Sequence, residues 1–262
     1  MGKSDMALLS VQNVTMRFGG LVANDRVSFD VPEGALFAVI GPNGAGKTTL
    51  FNIISGFFPP SEGQVVFAGD TITGLPQHAV ASRGLIRTYQ LVQLFKDLTV
   101  RENVAVGCHR VTRGGIPAAL FTPGWARKQE AEVERRSREL LDFVGLGAQA
   151  DMAADKLPYG QQRLLEVARA LAADPKLLLL DEPAAGLNTQ ETAALADVIQ
   201  RVNARGVTVL LVEHDMSLVM KVAQRIAVID FGKKIAEGTP AEIKAHPDVI
   251  AAYLGGTETA DA

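Results

Sequence analysis

The sequence predicts an α/β fold with a mainly parallel core sheet, an antiparallel β lobe near the amino terminus and an inserted helical lobe. Two unbroken apolar runs, residues 35–40 and 177–180, have the composition of strands that are buried on both faces. Residues 7–31 alternate between apolar and polar side chains, which is typical of paired strands. Between about residues 91 and 160 the strand pattern gives way to helical periodicity.

The amino-terminal half starts with the alternating stretch, which Phe18-Gly19-Gly20 interrupts. We therefore expect two antiparallel strands joined by a glycine turn. The apolar run 35–40 leads straight into a glycine-rich loop. The other elements expected in this half are a helix from Thr48 to Ser55, a strand from Gln64 to Ala68, a helix from Leu75 to Ser82 and a strand from Leu85 to Tyr89.

The helical lobe should hold a short helix over Thr99–Val106 and a long one over Ala126–Val144, which Gly145 ends. Residues 110–125 contain glycine, proline and apolar side chains, and this mixture predicts a loop that either packs as an excursion or contacts a partner.

The carboxyl-terminal half alternates helices and strands, as expected for a parallel sheet. Thr239, Pro240 and Glu242 form a helix start with a capping box. The remaining expected elements are a helix over Gly160–Ala173, a strand over 176–180, a helix before Gly206, a strand over Val207–Val212, a helix from Ser217 and strands over Ile226–Asp230 and Lys234–Ala236. Residues 1–256 should form a single domain, and 257–262 a flexible tail.

Composition excludes several classes of protein. The 262 residues carry a net charge of −3, so there is no basic surface of the kind that binds nucleic acid. Cys108 is the single cysteine, which excludes an intramolecular disulfide and suits a reducing cytoplasm. No run approaches 18 apolar residues, so any role at a membrane should depend on a partner chain.

The glycine-rich loop matches the phosphate-binding pattern G-x-x-x-x-G-K-[ST], and it lies between a strand and a helix as that pattern requires. Its residues are Gly41, Pro42, Asn43, Gly44, Ala45, Gly46, Lys47, Thr48 and Thr49. The glycines allow a tight turn whose N–H groups point at phosphates, and the following helix adds its positive dipole end. Lys47 supplies a charge and Thr48 a hydroxyl for Mg²⁺. The loop therefore predicts that the chain binds a nucleoside triphosphate.

Acidic and polar residues follow the predicted core strands, at the sheet edge where open α/β folds bind ligands. Asp181 is placed to hold Mg²⁺ through water, and Glu182 to orient or deprotonate the attacking water. His214 emerges at the same edge, where a neutral imidazole can bond a phosphate oxygen. Phe18 is either a core aromatic at a strand end or a ring that stacks on the base.

Several motifs, taken together, resemble those of ABC-type ATPase domains, which are P-loop NTPases. In chain order they are Gly41–Thr49, Gln90, Leu157-Pro158-Tyr159-Gly160-Gln161, Leu177–Pro183 and His214, and the resemblance covers about residues 7–256. Other stretches are similar to the hydrophobic (branched-chain) amino acid uptake branch. They are Phe18-Gly19-Gly20-Leu21, Arg87-Thr88-Tyr89-Gln90, Pro183–Asn188, Glu213-His214-Asp215-Met216 and Ala252-Tyr253-Leu254-Gly255.

The resemblance implies a role for each matching residue. Phe18 would stack on the adenine of ATP, and His214 would contact the γ-phosphate. Gln90 would touch Mg²⁺ or the attacking water and report the nucleotide state to the helical lobe. Gly186, Leu187 and Asn188 would form a loop that crosses to the opposite subunit.

The resemblance also implies a partnership. Two such domains would sandwich two ATP molecules and drive integral membrane permease subunits, served indirectly by a substrate-binding protein. The chain would then be cytoplasmic and peripheral on the inner face of the cell membrane. The transported substrate would be a hydrophobic amino acid or a related small molecule.

One motif departs from the family pattern. Where the family usually has Leu-Ser-Gly-Gly-Gln, this chain has Pro158 and Tyr159 in place of serine and glycine. Proline has neither a hydroxyl nor an N–H, so Gly160 and Gln161 supply the remaining amides for the facing nucleotide. Each lost bond to a phosphate would weaken a site by about 1.5–3 kcal/mol. This favours the hypothesis of a paralogous facing subunit and two unequal sites, with a homodimer as the other arrangement.

Two other functions share part of this motif set. A lipopolysaccharide-export ATPase has a similar ending, although the segment Gly114–Trp125 argues against it. A soluble ABC ATPase would serve DNA repair, translation or iron–sulfur assembly. The chain lacks the long coiled coils of the first and the second nucleotide domain of the second, which leaves the iron–sulfur assembly type.

Overall fold

The computed structural model describes residues 7–108 and 123–254. The loop predicted over 110–125 therefore lies mostly outside the described residues, as does the predicted tail 257–262. The strands are β1 (Ala7–Phe18), β2 (Leu21–Pro32), β3 (Leu36–Ile40), β4 (Glu62–Phe67), β5 (Asp70–Thr71), β6 (Leu85–Arg87), β7 (Leu177–Asp181), β8 (Thr208–Val212), β9 (Arg225–Asp230) and β10 (Lys233–Gly238).

Helices connect most of these strands. In chain order they are α1 (Lys47–Ile54), α2 (Gln77–Ser82), α3 (Val100–Gly107), α4 (Pro123–Val144), α5 (Tyr159–Ala172), α6 (Thr189–Ala204), α7 (Met216–Val222), α8 (Pro240–Ala245) and α9 (Pro247–Leu254). None of the helices described in 7–108 and 123–254 combines the length and the apolar character that crossing a bilayer requires.

The strands form two sheets, as the sequence predicts. The larger sheet has the order β10-β9-β3-β8-β7-β6, and its pairs are parallel except for β9 with β10. The smaller sheet is antiparallel, with the order β2-β1-β4-β5. The expected α/β fold, with a mainly parallel sheet and an antiparallel lobe, is confirmed.

The core lies on both faces of the larger sheet, which explains why its strands read as unbroken apolar runs. In β7, Leu178 and Leu180 pack on the side that holds α5 and α6, whereas Leu177 and Leu179 pack on the side that holds α1 and the antiparallel sheet. All four side chains are buried. Asp181 pairs in register with Val212, so the residues that follow β7 and β8 leave the sheet at the same edge.

Helices α3 and α4 pack against α5 and fill much of the connection between β6 and β7. The long helix begins at Pro123 and not at Ala126 as predicted, because proline is tolerated in the first turn, where its missing N–H has no partner to lose. The strand predicted over Leu85–Tyr89 ends at Arg87, and the Tyr89 carbonyl instead accepts a bond from Arg163 of α5, at 3.0 Å.

Candidate functional site

The glycine-rich loop has a backbone that other residues could not adopt. Gly41 has φ +155°, and a Cβ there would lie 1.9 Å from the carbonyl oxygen of Ile229. Gly46 has φ +97°, and a Cβ there would lie 2.3 Å from the carbonyl oxygen of Ala23. Both glycines are therefore required by close packing as well as by the turn.

Lys47 begins α1 and is buried under the loop that precedes it. Its ammonium group donates to the carbonyl oxygens of Gly41 at 2.7 Å and Pro42 at 2.8 Å. Burial lowers the pKa of Lys47, and the charge of Glu182 acts against this shift. The positive charge is thus fixed in position at the loop, where an anion would be bound.

A cavity of about 500 Å³ opens beside the loop. The residues that line it are Phe18, Leu21, Val22, Ala23, Asn43, Gly44, Ala45, Gly46, Lys47, Thr48, Thr49, Glu182, Phe231 and Gly232. Phe18 ends β1 and exposes 47% of its surface, with its ring edge-on to Phe58 at 5.8 Å between centroids. An exposed aromatic ring therefore lines the cavity and is available for stacking on a base.

Three of the predicted catalytic residues converge at the sheet edge. The side-chain amide of Gln90 donates to Oε2 of Glu182 at 2.8 Å. Nδ1 of His214 lies 3.7 Å from the same oxygen. Glu182 has φ +45°, a left-handed conformation that is uncommon outside glycine and that often marks a functional position. The arrangement places a carboxylate, an amide and an imidazole around one point beside Lys47.

Asp181 is nearly completely buried and forms an ion pair that the sequence analysis did not identify. Nη2 of Arg87 donates to Oδ2 of Asp181 at 2.6 Å, and both side chains are 6% exposed. The other guanidinium branch donates to Oδ1 of Asn52 at 2.9 Å and to Oγ of Ser55 at 2.7 Å. An arginine whose side chain is buried at the end of a strand requires an acidic partner, and that requirement was the available signal.

We expect Arg87→Met to lower the free energy of unfolding by about 3–5 kcal/mol, because it leaves the Asp181 carboxylate buried without its cation. Urea denaturation of the purified chain measures the change. Arg138→Met is the matched control, since its pair with Glu134 is half-exposed and should contribute about 0–1 kcal/mol. A loss no larger than that of the control would contradict the structural role of the Arg87 pair.

Glu213 is a second residue at this edge for which the sequence analysis predicted no role. Its carboxylate is fully buried and accepts backbone N–H bonds from Ala184 at 2.7 Å, His214 at 3.0 Å and Asp215 at 3.2 Å. Burial raises the pKa of Glu213, and the three backbone bonds oppose this shift. An acid directly after a core strand, next to His214, was the signal in the sequence.

The segment 157–161 lies apart from this cavity: among the described residues that line it, none belongs to that segment. Pro158 caps α5 without a side-chain bond, and Gly160 in the first turn is buried beside the Glu191 carboxylate. The Tyr159 ring lies against Gly186, and a Cβ added to that glycine would be 3.1 Å from the ring. Asn188 caps α6 by accepting from the amides of Gln190 and Glu191. The structure thus places the start of α5 beside the loop Gly186–Asn188.

Comparisons with known proteins agree with this geometry. A family model described as ABC transporter matches residues 24–185, and one described as Branched-chain amino acid ATP-binding cassette transporter matches residues 233–259. The chain is 46% identical to the high-affinity branched-chain amino acid transport ATP-binding protein BraF of Pseudomonas aeruginosa, over 95% of this chain and 98% of that protein. It is 43% identical to LivG of Escherichia coli K12, described in the same words, with the same coverage.

Two solved structures extend the comparison to the fold. The ADP conformation of MJ1267, an ATP-binding cassette of an ABC transporter, has a TM-score of 0.83 at 33% identity, over 95% of this chain and 99% of that chain. A dimeric, post-hydrolysis state of the ATP-binding cassette MJ0796, bound to ADP and Pi, has a TM-score of 0.74 at 26% identity, over 88% of this chain and 98% of that chain.

Proposed function

This chain belongs to the ABC transporter family of ATPases, and we propose that it is the ATP-hydrolysing subunit of a branched-chain amino acid uptake system. The observation that carries the proposal is the convergence of Gln90 and His214 on Glu182, beside the loop that fixes Lys47. The names of the relatives and the match over residues 233–259 support the substrate class and argue against lipopolysaccharide export and iron–sulfur assembly.

In this proposal each residue at the edge has a distinct role. Glu182 takes a proton from the attacking water, or orients that water, because its carboxylate is partly exposed beside the phosphate loop. His214 bonds the γ-phosphate, and Lys47 neutralises phosphate charge. Phe18 stacks on adenine. The loop amides from Gly41 to Thr49 bind the remaining phosphate oxygens.

Mg²⁺ fits the oxygen donors that are present. Thr48 offers a hydroxyl, Asp181 retains the carboxylate oxygen not bound to Arg87, and Gln90 retains its amide oxygen after donating to Glu182. Within 7–108 and 123–254, no three His, Cys, Asp or Glu side chains form a cluster that could hold a metal ion by themselves. This matches the usual binding of Mg²⁺ by one or two protein oxygens together with phosphates and water. The ion, when bound, neutralises the charge that develops between the β- and γ-phosphates.

We propose that a second ABC ATPase subunit completes the site. The amides of Gly160 and Gln161 at the start of α5 are remote from the cavity of their own chain, so their phosphate contacts belong to a facing nucleotide. Pro158 and Tyr159 border the same contact, and Gly186, Leu187 and Asn188 approach the facing subunit. The solved dimer of MJ0796 supports a paired arrangement. The loss of the usual serine at Pro158 favours a paralogous partner.

We propose that the helical subdomain predicted at about 91–160 is inserted in the α/β core, and that the permease docks in a groove between β6, α3 and α5. The groove exposes the aromatic side chains of Phe57, Tyr89 and Phe95. Tyr89 is adjacent to Gln90, and Arg163 of α5 donates to the carbonyl oxygens of both residues. A protein seated in the groove would therefore act on Gln90 and on the start of α5 together. In this proposal the docked chain lies on the cytoplasmic face of the membrane.

The test is to co-purify the chain with its permease subunits and to measure ATP-driven leucine uptake into proteoliposomes with the substrate-binding protein present. We expect the unaltered chain to co-purify and to support uptake. Phe57→Asp should abolish both, because it places a charge in the apolar groove, while ATP binding by the isolated chain stays unchanged.

Ile250→Asp is the matched control, since Ile250 is also exposed but lies outside the groove. It should co-purify and transport as the unaltered chain does. If the chain co-purified with the permease but supported no leucine uptake, only the proposed amino acid substrate would be refuted. Normal co-purification of Phe57→Asp would refute the docking site.

A further inference from the structure

We propose that Glu213 is a positioning residue for ATP hydrolysis, which sets Glu182 and His214 at their mutual distance. This inference rests on the function proposed above. Glu213 itself touches neither the cavity nor the reacting atoms, since it is fully buried and does not line the nucleotide pocket. It acts through the two backbone segments that its carboxylate joins.

The first segment carries Glu182 in a backbone conformation that needs external support. A left-handed φ at a residue other than glycine costs about 1–3 kcal/mol and persists only where the surroundings fix it. Two hydrogen bonds, accepted by residues at the end of β8 and just after it, hold the segment that carries Glu182. The Glu182 N–H donates to the carbonyl oxygen of Val212 at 2.9 Å, and the Ala184 N–H donates to the Glu213 carboxylate at 2.7 Å. The strained residue is therefore fastened on both sides by consecutive residues, Val212 and Glu213.

The second segment carries His214. The other carboxylate oxygen of Glu213 accepts from the N–H groups of His214 at 3.0 Å and Asp215 at 3.2 Å. Asp215 in turn caps α7 by accepting from the amide of Ser217 at 2.8 Å. The backbone of His214 is thus fixed between β8 and α7, although its side chain is about half exposed.

Among the described residues no arginine or lysine lies within ion-pair distance of Glu213, and Nδ1 of the His214 ring lies 3.8 Å from its carboxylate. A carboxylate buried without a strong cation is retained here by three backbone donors, and bonds to a charged acceptor are worth more than neutral ones. An apolar residue would be cheaper to bury at this position. The contacts of Glu213 explain why an acid is present instead: only an acceptor with two oxygens can hold both loops.

The experiment compares Glu213→Gln and Glu213→Ala with the unaltered chain, in the assembly that hydrolyses ATP. The glutamine keeps the size but presents an NH₂ where the carboxylate accepted N–H bonds, so it can hold one loop and not both. We expect kcat to fall by about 10–100-fold with little change in KM for ATP, since a small misplacement of reacting groups can cost that much. Hydrogen exchange at the amides of Ala184, His214 and Asp215 should accelerate in Glu213→Ala.

Thr208→Val is the matched control, because it removes a fully buried acceptor from the opposite end of β8, where Thr208 accepts from the Gly34 amide at 2.8 Å. It should lower thermal stability and leave kcat unchanged. In the His214→Ala background, Glu213→Gln should reduce kcat much less than it does in the otherwise unaltered chain, because the effects of residues that act as a unit are non-additive.

Two results would overturn the proposal: a Glu213→Gln enzyme with the kcat of the Thr208→Val control, or a full multiplicative loss in the His214→Ala background. An unaltered assembly that hydrolyses no ATP would instead refute the proposed function, and the exchange rates of the three amides would still test the contacts of Glu213.

Discussion

Replacing Glu182 with glutamine is expected to reduce ATP turnover by about 10²-fold or more while ATP remains bound. Glutamine preserves the size of the side chain, and its carbonyl oxygen can still accept the bond from Gln90. It cannot take a proton from water. Because the γ-phosphate then persists, the ATP-bound pair of subunits should accumulate in its closed form. Turnover measured at saturating ATP, with size-exclusion chromatography in the presence of ATP and Mg²⁺, checks both parts.

The control for this prediction is Glu33→Gln, which removes one exposed acid that does not line the nucleotide cavity. Its turnover should equal that of the unaltered chain. If Glu182→Gln also turned over ATP at the normal rate, another group would have to activate the water. If the variant neither hydrolysed nor bound ATP, the substitution would have damaged the cavity. The loss of turnover would then follow from lost binding, and the catalytic role of Glu182 would be rejected as its explanation.

The fold could be predicted from the sequence because its core strands have only one way to be buried. Four consecutive leucines, Leu177–Leu180, need apolar neighbours on both faces, and only the middle of a parallel sheet provides them. The phosphate loop could be predicted from nine consecutive residues, although the close contacts that require Gly41 and Gly46 are made with Ile229 and Ala23. Where physical constraints act over a few residues, the sequence displays them directly.

The contacts at the sheet edge could not be predicted, because they join residues that are far apart in the chain. Arg87 and Asp181 are 94 positions apart, and Ala184 and Glu213 are 29 apart. No periodicity links such pairs, so only the strand order β8-β7-β6 brings them together. The sequence could indicate that each residue needed a partner, since buried charges require one. It could not indicate which partner.

Some predictions await a second subunit for a related reason. The contacts of Pro158, Gly160 and Asn188 with a facing nucleotide depend on a surface that one chain does not contain. Within this chain Asn188 caps α6, a use of its side chain that spacing alone also allows. The structure explains the local fold of this region, whereas its role across the subunit interface remains a proposal.

Replacing Lys47 with alanine is expected to weaken ATP binding by about 10–150-fold, because a charge-assisted bond to phosphate contributes about 1.5–3 kcal/mol and the ammonium group keeps one N–H for it. Lys47 already occupies a fixed position, since it donates to two carbonyl oxygens of the loop and is buried. Little side-chain freedom is therefore lost when ATP binds, which makes the full value of this bond available. Titration calorimetry with ATP and Mg²⁺ measures the change.

Lys176→Ala, which removes an exposed lysine outside the cavity, should bind ATP normally. An unchanged dissociation constant in Lys47→Ala, for a chain that still unfolds cooperatively, would mean that the phosphates are bound elsewhere, and the proposed function would fail at its first step.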